Sequence, residues 1–202
     1  MAPFHKPLLV VDGKPLIRRS VEAAWSAGSR NIVVVAAPEN AAAISHVLEG
    51  AGMGFVDIIL QRTPLGPGHA LMQGLKLVKS STALVIMGDN LVSSDDVSTV
   101  AQCESHNAVG ISWHSADDAE RFTWYDRSQD TWVEKTKPSD NRVPCWVGPI
   151  KISTREFTAA YSAWQQSGVK GEVPIGPLFN NLPSVCVVDV SSIDVGTPEA
   201  IV

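Results

Sequence analysis

Four short runs of apolar, largely β-branched residues, at 31–37, 56–61, 83–87 and 108–112, recur between stretches of helical periodicity, and this alternation limits the fold more than any other feature. Continuous apolar runs of this length read as strands buried on both faces, as in parallel sheets. The stretches between them carry helix signals. Pro15 opens a helix whose Ile17, Val21, Ala24 and Trp25 share a face, and Gly28 closes it. Positions 39–49 put Ala43, Ile44, Val47 and Leu48 on one face and stop at Gly50. Two more helices are predicted at 69–79 and 95–106, the second with Ser94 as its N-cap and acidic residues in its first turn. The alternation predicts an α/β protein, with an open, mostly parallel sheet covered by helices on both faces.

After about residue 113 the rhythm changes. The runs 122–125 and 131–134 flank the polar segment 126–130 and predict an added β-hairpin. A strand at 146–153, a helix at 154–166 and a last strand at 185–190 follow. With 202 residues, 45% of them hydrophobic, the chain can bury one sizeable core, so we expect a single domain over 1–202. Its halves divide at about 1–113 and 114–202. The longest apolar runs fall well short of the roughly 20 residues that span a bilayer, and the N-terminus lacks a signal-peptide pattern. We therefore expect no membrane association and a cytoplasmic location. A net charge of -5 opposes broad nucleic-acid binding. An anionic ligand would need local help from lysines, backbone amides or a carboxylate-held metal. Cys103, Cys145 and Cys186 are too scattered for a zinc site and read as buried or incidental thiols.

Some positions suit specific chemistry. Asp89 follows the run 83–87, at the carboxyl edge where open α/β sheets bind ligands. Asp194 follows Ile193 after the last apolar strand. A fold that joins the two would offer Mg²⁺ two carboxylates and leave its other positions to phosphate oxygens and water. Each aspartate also reads as an ordinary turn or cap residue. Gln61 ends a strand ahead of the Gly/Pro loop 62–70. Its carboxamide, with one acceptor and two donors, can match the imide edge of uracil or thymine, and the glycines allow close backbone approach. The tryptophans at 113, 124, 132, 146 and 164 read as packing rather than sugar-stacking residues. His69 reads as a loop or helix-start residue.

Four segments in a fixed order carry a resemblance: KPLLVVDGKPLI at 6–17, GDN at 88–90, VEKTKP at 133–138 and DVGTPEA at 194–200. Together they resemble the sugar-1-phosphate nucleotidyltransferase family over the whole chain, and the fold implied is the Rossmann-like nucleotidyltransferase fold. The resemblance gives Asp89 and Asp194 the role of Mg²⁺ ligands, and makes Lys6 a phosphate contact that steadies charge in the transition state. The segment from Gln61 to Ala70 resembles the base-reading Q…LGTGHA stretch of the uridylyltransferase branch, with Pro67 in place of the threonine; Gly66 and Gly88 join Gln61 on the nucleotide side. Glu134 and Lys135 match an EKP element that takes sugar hydroxyls and the sugar phosphate. Here the order is EKTKP, so either Lys135 or Lys137 fills the phosphate role. Gly148 stands where the family has the glycine of an NAG element whose other two residues are absent.

The implied reaction joins a nucleoside triphosphate to a sugar 1-phosphate and releases pyrophosphate, with a homo-oligomeric state left open. The resemblance also implies a first strand and a G-x-G-T-R loop that the 202 residues do not contain. Either the recorded start is internal to a longer gene product or the protein is a degenerate relative; the intact downstream motifs favour the first. Two alternatives follow: a non-catalytic homologue that binds nucleotide sugars, and a transferase acting on phosphocholine or another alcohol phosphate.

Overall fold

The structure is a computed structural model and describes residues 5–195. Residues 196–200 of the C-terminal motif lie outside the described residues. Pro7 starts a 3-10 turn, Lys6–Leu8, that leads into a tiny hairpin of β1 (Val10–Val11) and β2 (Lys14–Pro15). Helix α1 (Leu16–Ser26) follows Pro15 and stops before Gly28, whose φ of 95° suits a residue without a Cβ. Strand β3 (Val33–Ala36), helix α2 (Pro38–Gly50) and strand β4 (Asp57–Leu60) form a βαβ unit with the two strands parallel, Val33 opposite Asp57. Ile17, Val21, Ile44 and Leu48 bury their faces with Val34 and Ala36 in one core. Trp25 departs from its predicted face: it is 41% exposed, stacked near Phe55 and under the Arg30 guanidinium.

Helix α3 (Gly66–Leu75) begins three residues ahead of its predicted start. Strands β5 (Thr82–Val85) and β6 (Asn90–Leu91) follow, then helix α4 (Ser94–Gln102), whose N-cap is Ser93 rather than Ser94. Strand β7 (Asn107–Ser115) leads through α5 (Ala116–Ala119) into the hairpin of β8 (Thr123–Asp126) and β9 (Thr131–Glu134). Strand β10 (Arg142–Ser153) is the long central strand. Helices α6 (Thr154–Gln166) and α7 (Ile175–Phe179) precede β11 (Val185–Asp189) and β12 (Ile193–Asp194).

The sheet is mixed. Strands β11 and β7 are parallel, Val185 opposite Asn107, whereas β10 runs antiparallel to β5, β7 and β8. A long strand returning through the centre sets these antiparallel pairs, a relation that no local apolar run encodes. Phe157, Leu178 and Phe179 from α6 and α7 pack with Ile150, Ile152, Val109 and Ile111 of the sheet in the largest core. Among the described strands β3 pairs only with β4 and β5 only with β10. Residues 33–37 and 82–88 line one cavity of about 780 Å³ together with Ile17 and Val21 of α1 and Leu71 and Gly74 of α3.

Phe157 is fully buried in that largest core. Phe157→Ala is expected to cost about 3–5 kcal/mol, read as a fall in the denaturant midpoint with the slope unchanged.

Candidate functional site

The last short strand decides where the two aspartates lie. Strand β12 pairs antiparallel with β6, Asp194 opposite Asn90 and Ile193 opposite Leu91. The Val195 amide donates to the Asp89 carbonyl at 3.2 Å. Asp89 and Asp194, far apart along the chain, thus stand beside each other on adjacent backbones. The Lys6 ammonium lies 3.6 Å from the Asp89 carboxylate, both side chains partly exposed. A pair this open to water contributes little to stability. Pro7 packs on Gly88, where a Cβ would meet the proline ring at 3.3 Å, and so brings the lysine turn over the aspartate loop.

Two anchors hold this region in place. Asp96, 8% exposed in the first turn of α4, accepts from the Ser191 amide at 2.9 Å and from the Ser191 and Ser192 hydroxyls. These bonds tie the approach to β12 to the α4 N-terminus. Burial alone would raise the Asp96 carboxyl, but the hydrogen bonds from Ser191, Ser192 and Ser93 outweigh it and hold the group below the usual aspartate range. Buried Asn90 supplies the second anchor, its side-chain amide donating to the Val147 carbonyl of β10.

That carbonyl belongs to an irregular stretch of β10, where the register against β7 shifts between Trp146 and Ile150. Gly148 sits inside this shift. A Cβ there would lie 2.6 Å from Val190 Cγ2 and 3.0 Å from Gly110 Cα, so Gly148 is required by close strand approach. It is buried and outside the pocket lining, whereas its neighbours Trp146 and Val147 line the pocket.

The pocket, about 180 Å³, gathers Asn90, Asp194, Glu134, Lys135, Arg121 and Thr123. Thr123 and Glu134 are cross-strand partners in the hairpin, and the Thr123 hydroxyl donates to the Glu134 carboxylate at 2.7 Å. Gly176 of α7 lies under this pair, with no room for a Cβ: Glu134 Oε2 would be 2.7 Å from it. Of the two candidate lysines, Lys135 lines the pocket. Lys137 turns to the surface and donates to Asp117 at 2.5 Å, a bond that raises its pKa and lowers that of the aspartate. Arg121, Thr123, Asn90 and Asp96 were not evident as site residues from sequence; the available signals were the place of Asn90 in the GDN motif and the position of Arg121 and Thr123 at the hairpin entrance.

On the other flank Gln61 directly follows β4, its backbone amide donating to the Ala36 carbonyl at 2.8 Å. Its side chain reaches back to the Gly66 carbonyl at 3.1 Å and to His69 at 3.0 Å. Gly66 has φ of 83°, and a Cβ there would come within 3.0 Å of Glu172 and Val173. The loop is also pinned by Gly68 and Val173, whose backbone amides donate to Val173 and Leu65 respectively. Pro67, one residue on, lines the small pocket. Cys145 is buried, which pushes its thiol up to about 12, and all three cysteines are free. No helix among the described residues is long and apolar enough to cross a membrane.

Asp194 thus lines the pocket, Asp89 stands beside it on the neighbouring backbone with the Lys6 turn over it, and the hairpin flanks the pocket. Residues 1–166 match the MobA-like NTP transferase domain, and the chain belongs to that family. It is 30% identical over 122 residues to a glucose-1-phosphate thymidylyltransferase of Neisseria gonorrhoeae, a match covering 58% of this chain and 42% of that enzyme. A bifunctional GlmU protein of Syntrophomonas wolfei is 39% identical over 80 residues, 39% of this chain and 17% of that one. The chain therefore spans less than half the length of these relatives. Among solved structures, a Bacillus anthracis protein described as a glucose-1-phosphate thymidylyltransferase, in complex with sucrose, superposes with a TM-score of 0.79 at 22% identity, covering 99% of this chain and 86% of that one. A UDP-glucose pyrophosphorylase bound to UDP-glucose gives 0.74 at 18% identity, covering 97% and 87%. These likenesses establish the fold.

The Asp96 anchor makes a pH-dependent prediction. Its carboxyl is depressed, so its stabilisation is fully present above the unfolded aspartate pKa and is lost as pH falls through the lowered folded value. Asp96→Ala should destabilise the protein by about 2 kcal/mol at neutral pH. In urea melts across pH, the gap between wild type and variant should close on acidification.

Proposed function

We propose that this chain transfers a nucleoside monophosphate from a nucleoside triphosphate to a sugar 1-phosphate, releasing pyrophosphate. The observation that carries this reading is the pairing of Asp194 with Asn90, which brings Asp194 beside Asp89 and into one pocket with Glu134 and Lys135. Carboxylates are the oxygen donors that a hard divalent cation takes, its shell completed by phosphate oxygens and water, and the adjacent backbones supply one from each side. Among the described residues no cluster of three or more metal-ligating side chains occurs, so substrate oxygens would supply the remaining positions. Asp89 and Asp194 would hold Mg²⁺, whose contribution when bound is to neutralise negative charge on the phosphates.

The chain's own residues then position the reactants. Lys6 adds a second positive charge above Asp89 and supports the phosphates as charge moves toward the leaving pyrophosphate. Glu134, held by Thr123, accepts sugar hydroxyls, and Lys135 meets the sugar phosphate. An oxygen of that phosphate attacks the α-phosphorus; the new P–O bond forms as the bond to pyrophosphate breaks. The attacking group is already ionised, so no general base is needed, and the rate comes from orientation and electrostatics. Gln61, with Gly66 and Gly88, serves the nucleotide side, where Gln61 meets the ring nitrogen of the imide edge of uracil or thymine. Gly148 contributes through the strand approach that sets Val147 and Trp146 at the pocket wall.

Pyrophosphate release measured across triphosphates and sugar 1-phosphates tests the reading. Asp89→Ala should lower the rate by about 10²–10³-fold, and full activity in that variant would remove the metal assignment. Lys135→Ala should raise KM for the sugar phosphate, while Lys137→Ala should leave both constants near wild type. Nucleotide-sugar binding without turnover, seen by calorimetry, would instead select a sensor.

A further inference from the structure

We infer that His69 is a positioning residue that locks the Gln61 carboxamide with its oxygen outward, so that the site reads a base through an N–H donor alone. This deepens the nucleotide reading above and rests on it. The orientation follows from what each partner can do. A carbonyl oxygen cannot donate, so the group of Gln61 that faces the Gly66 carbonyl at 3.1 Å is the amide nitrogen. The same nitrogen lies 3.0 Å from His69 Nδ1. An amide nitrogen only donates, so Nδ1 must accept; the imidazole is neutral and carries its hydrogen on Nε2.

On the far side of the ring a second amide nitrogen, that of Gln73, faces Nε2; a ring with one hydrogen cannot accept at both nitrogens, and of the two carboxamides only that of Gln61 is also fixed by a backbone carbonyl, so Gln73 is the one that must turn. His69 Nε2 lies 2.8 Å from the Gln73 carboxamide, four residues on along α3. With its hydrogen on Nε2, His69 donates to the Gln73 oxygen once that carboxamide turns over. That turn gives up the bond that Lys76 donates to the same oxygen at 2.7 Å, and Lys76 is exposed, so water can replace it.

Both hydrogens of Gln61 are thus used inside the protein, one on Gly66 and one on His69. Among the described residues no donor reaches Gln61 Oε1. The carboxamide, which by composition has one acceptor and two donors, presents a single acceptor to a ligand. Uracil and thymine carry N–H at ring position three and satisfy it; cytosine has a bare lone pair there and opposes it. The loop cannot easily relax this choice, because Gly66 is clamped against Glu172 and Val173.

The test measures UMP and CMP binding to the full chain by calorimetry. His69→Leu removes the acceptor that holds one amide hydrogen, frees Gln61 to turn, and is expected to shrink the UMP-over-CMP preference by about tenfold, partly through tighter CMP binding. His69→Asn, whose Oδ1 can stand where Nδ1 stood, should restore the preference. Nitrogen-15 NMR of the ligand-free protein should show hydrogen on His69 Nε2 and none on Nδ1. Equal weakening of UMP and CMP in His69→Leu, or a hydrogen on Nδ1, would overturn the inference while leaving the nucleotide reading intact. No binding of either nucleotide by wild type would overturn both.

Discussion

The arrangement of the site depends on the pairing of β6 with β12, two residues on each side. So short a ladder cannot hold itself in water, and its stability comes from what fixes its ends. Asp96 fixes one end, gathering Ser191 and Ser192 on a carboxylate that burial alone would disfavour. Asn90 fixes the other by its bond to the Val147 carbonyl, in the irregular part of β10. Through these two polar anchors the α4 N-terminus, the central strand and the chain's last described strand share one framework. Both anchors are buried polar groups with partners, which makes the region specific as well as stable.

The hairpin side of the pocket is organised by a different device, a cross-strand pair whose carboxylate lines the pocket. Thr123 donates to Glu134 from directly opposite, and Gly176 leaves the space that this carboxylate occupies. The neighbouring lysines separate on this hairpin. Lys135, at φ of 45°, turns toward the pocket, and Lys137 pairs with Asp117 in solvent. The lysine that lines the pocket is thus the one with a backbone conformation unusual for a residue with a side chain.

Much of the fold was legible because it is written locally. The β-branched runs became β3, β4, β5 and β7, and the polar segment at 126–130 became the turn between β8 and β9. Errors lay at element ends and in pairing. Ser93, not Ser94, caps α4, because either serine offers the same hydroxyl and backbone geometry chooses between them. The antiparallel course of β10 beside β5 and β7 was not readable, since strand direction depends on a connection through space. For the candidate site, the residue types at 6, 61, 89, 134 and 194 were visible as chemistry in an ordered set of motifs. Asp96 was hidden, because an acidic residue in a first helical turn looks the same whether it meets solvent or two distant serines.

The sequence by itself determined which segments are strands and helices and which side chains bring carboxylate, ammonium and carboxamide groups, because periodicity and residue chemistry are local properties. Tertiary structure alone decided that Asp194 lies beside Asp89, that Lys135 rather than Lys137 enters the pocket, and that the Gln61 amide nitrogen lies against Gly66 and His69. Each of these depends on which groups far apart in the chain, or across a tight loop, come within hydrogen-bonding distance, and packing sets that distance.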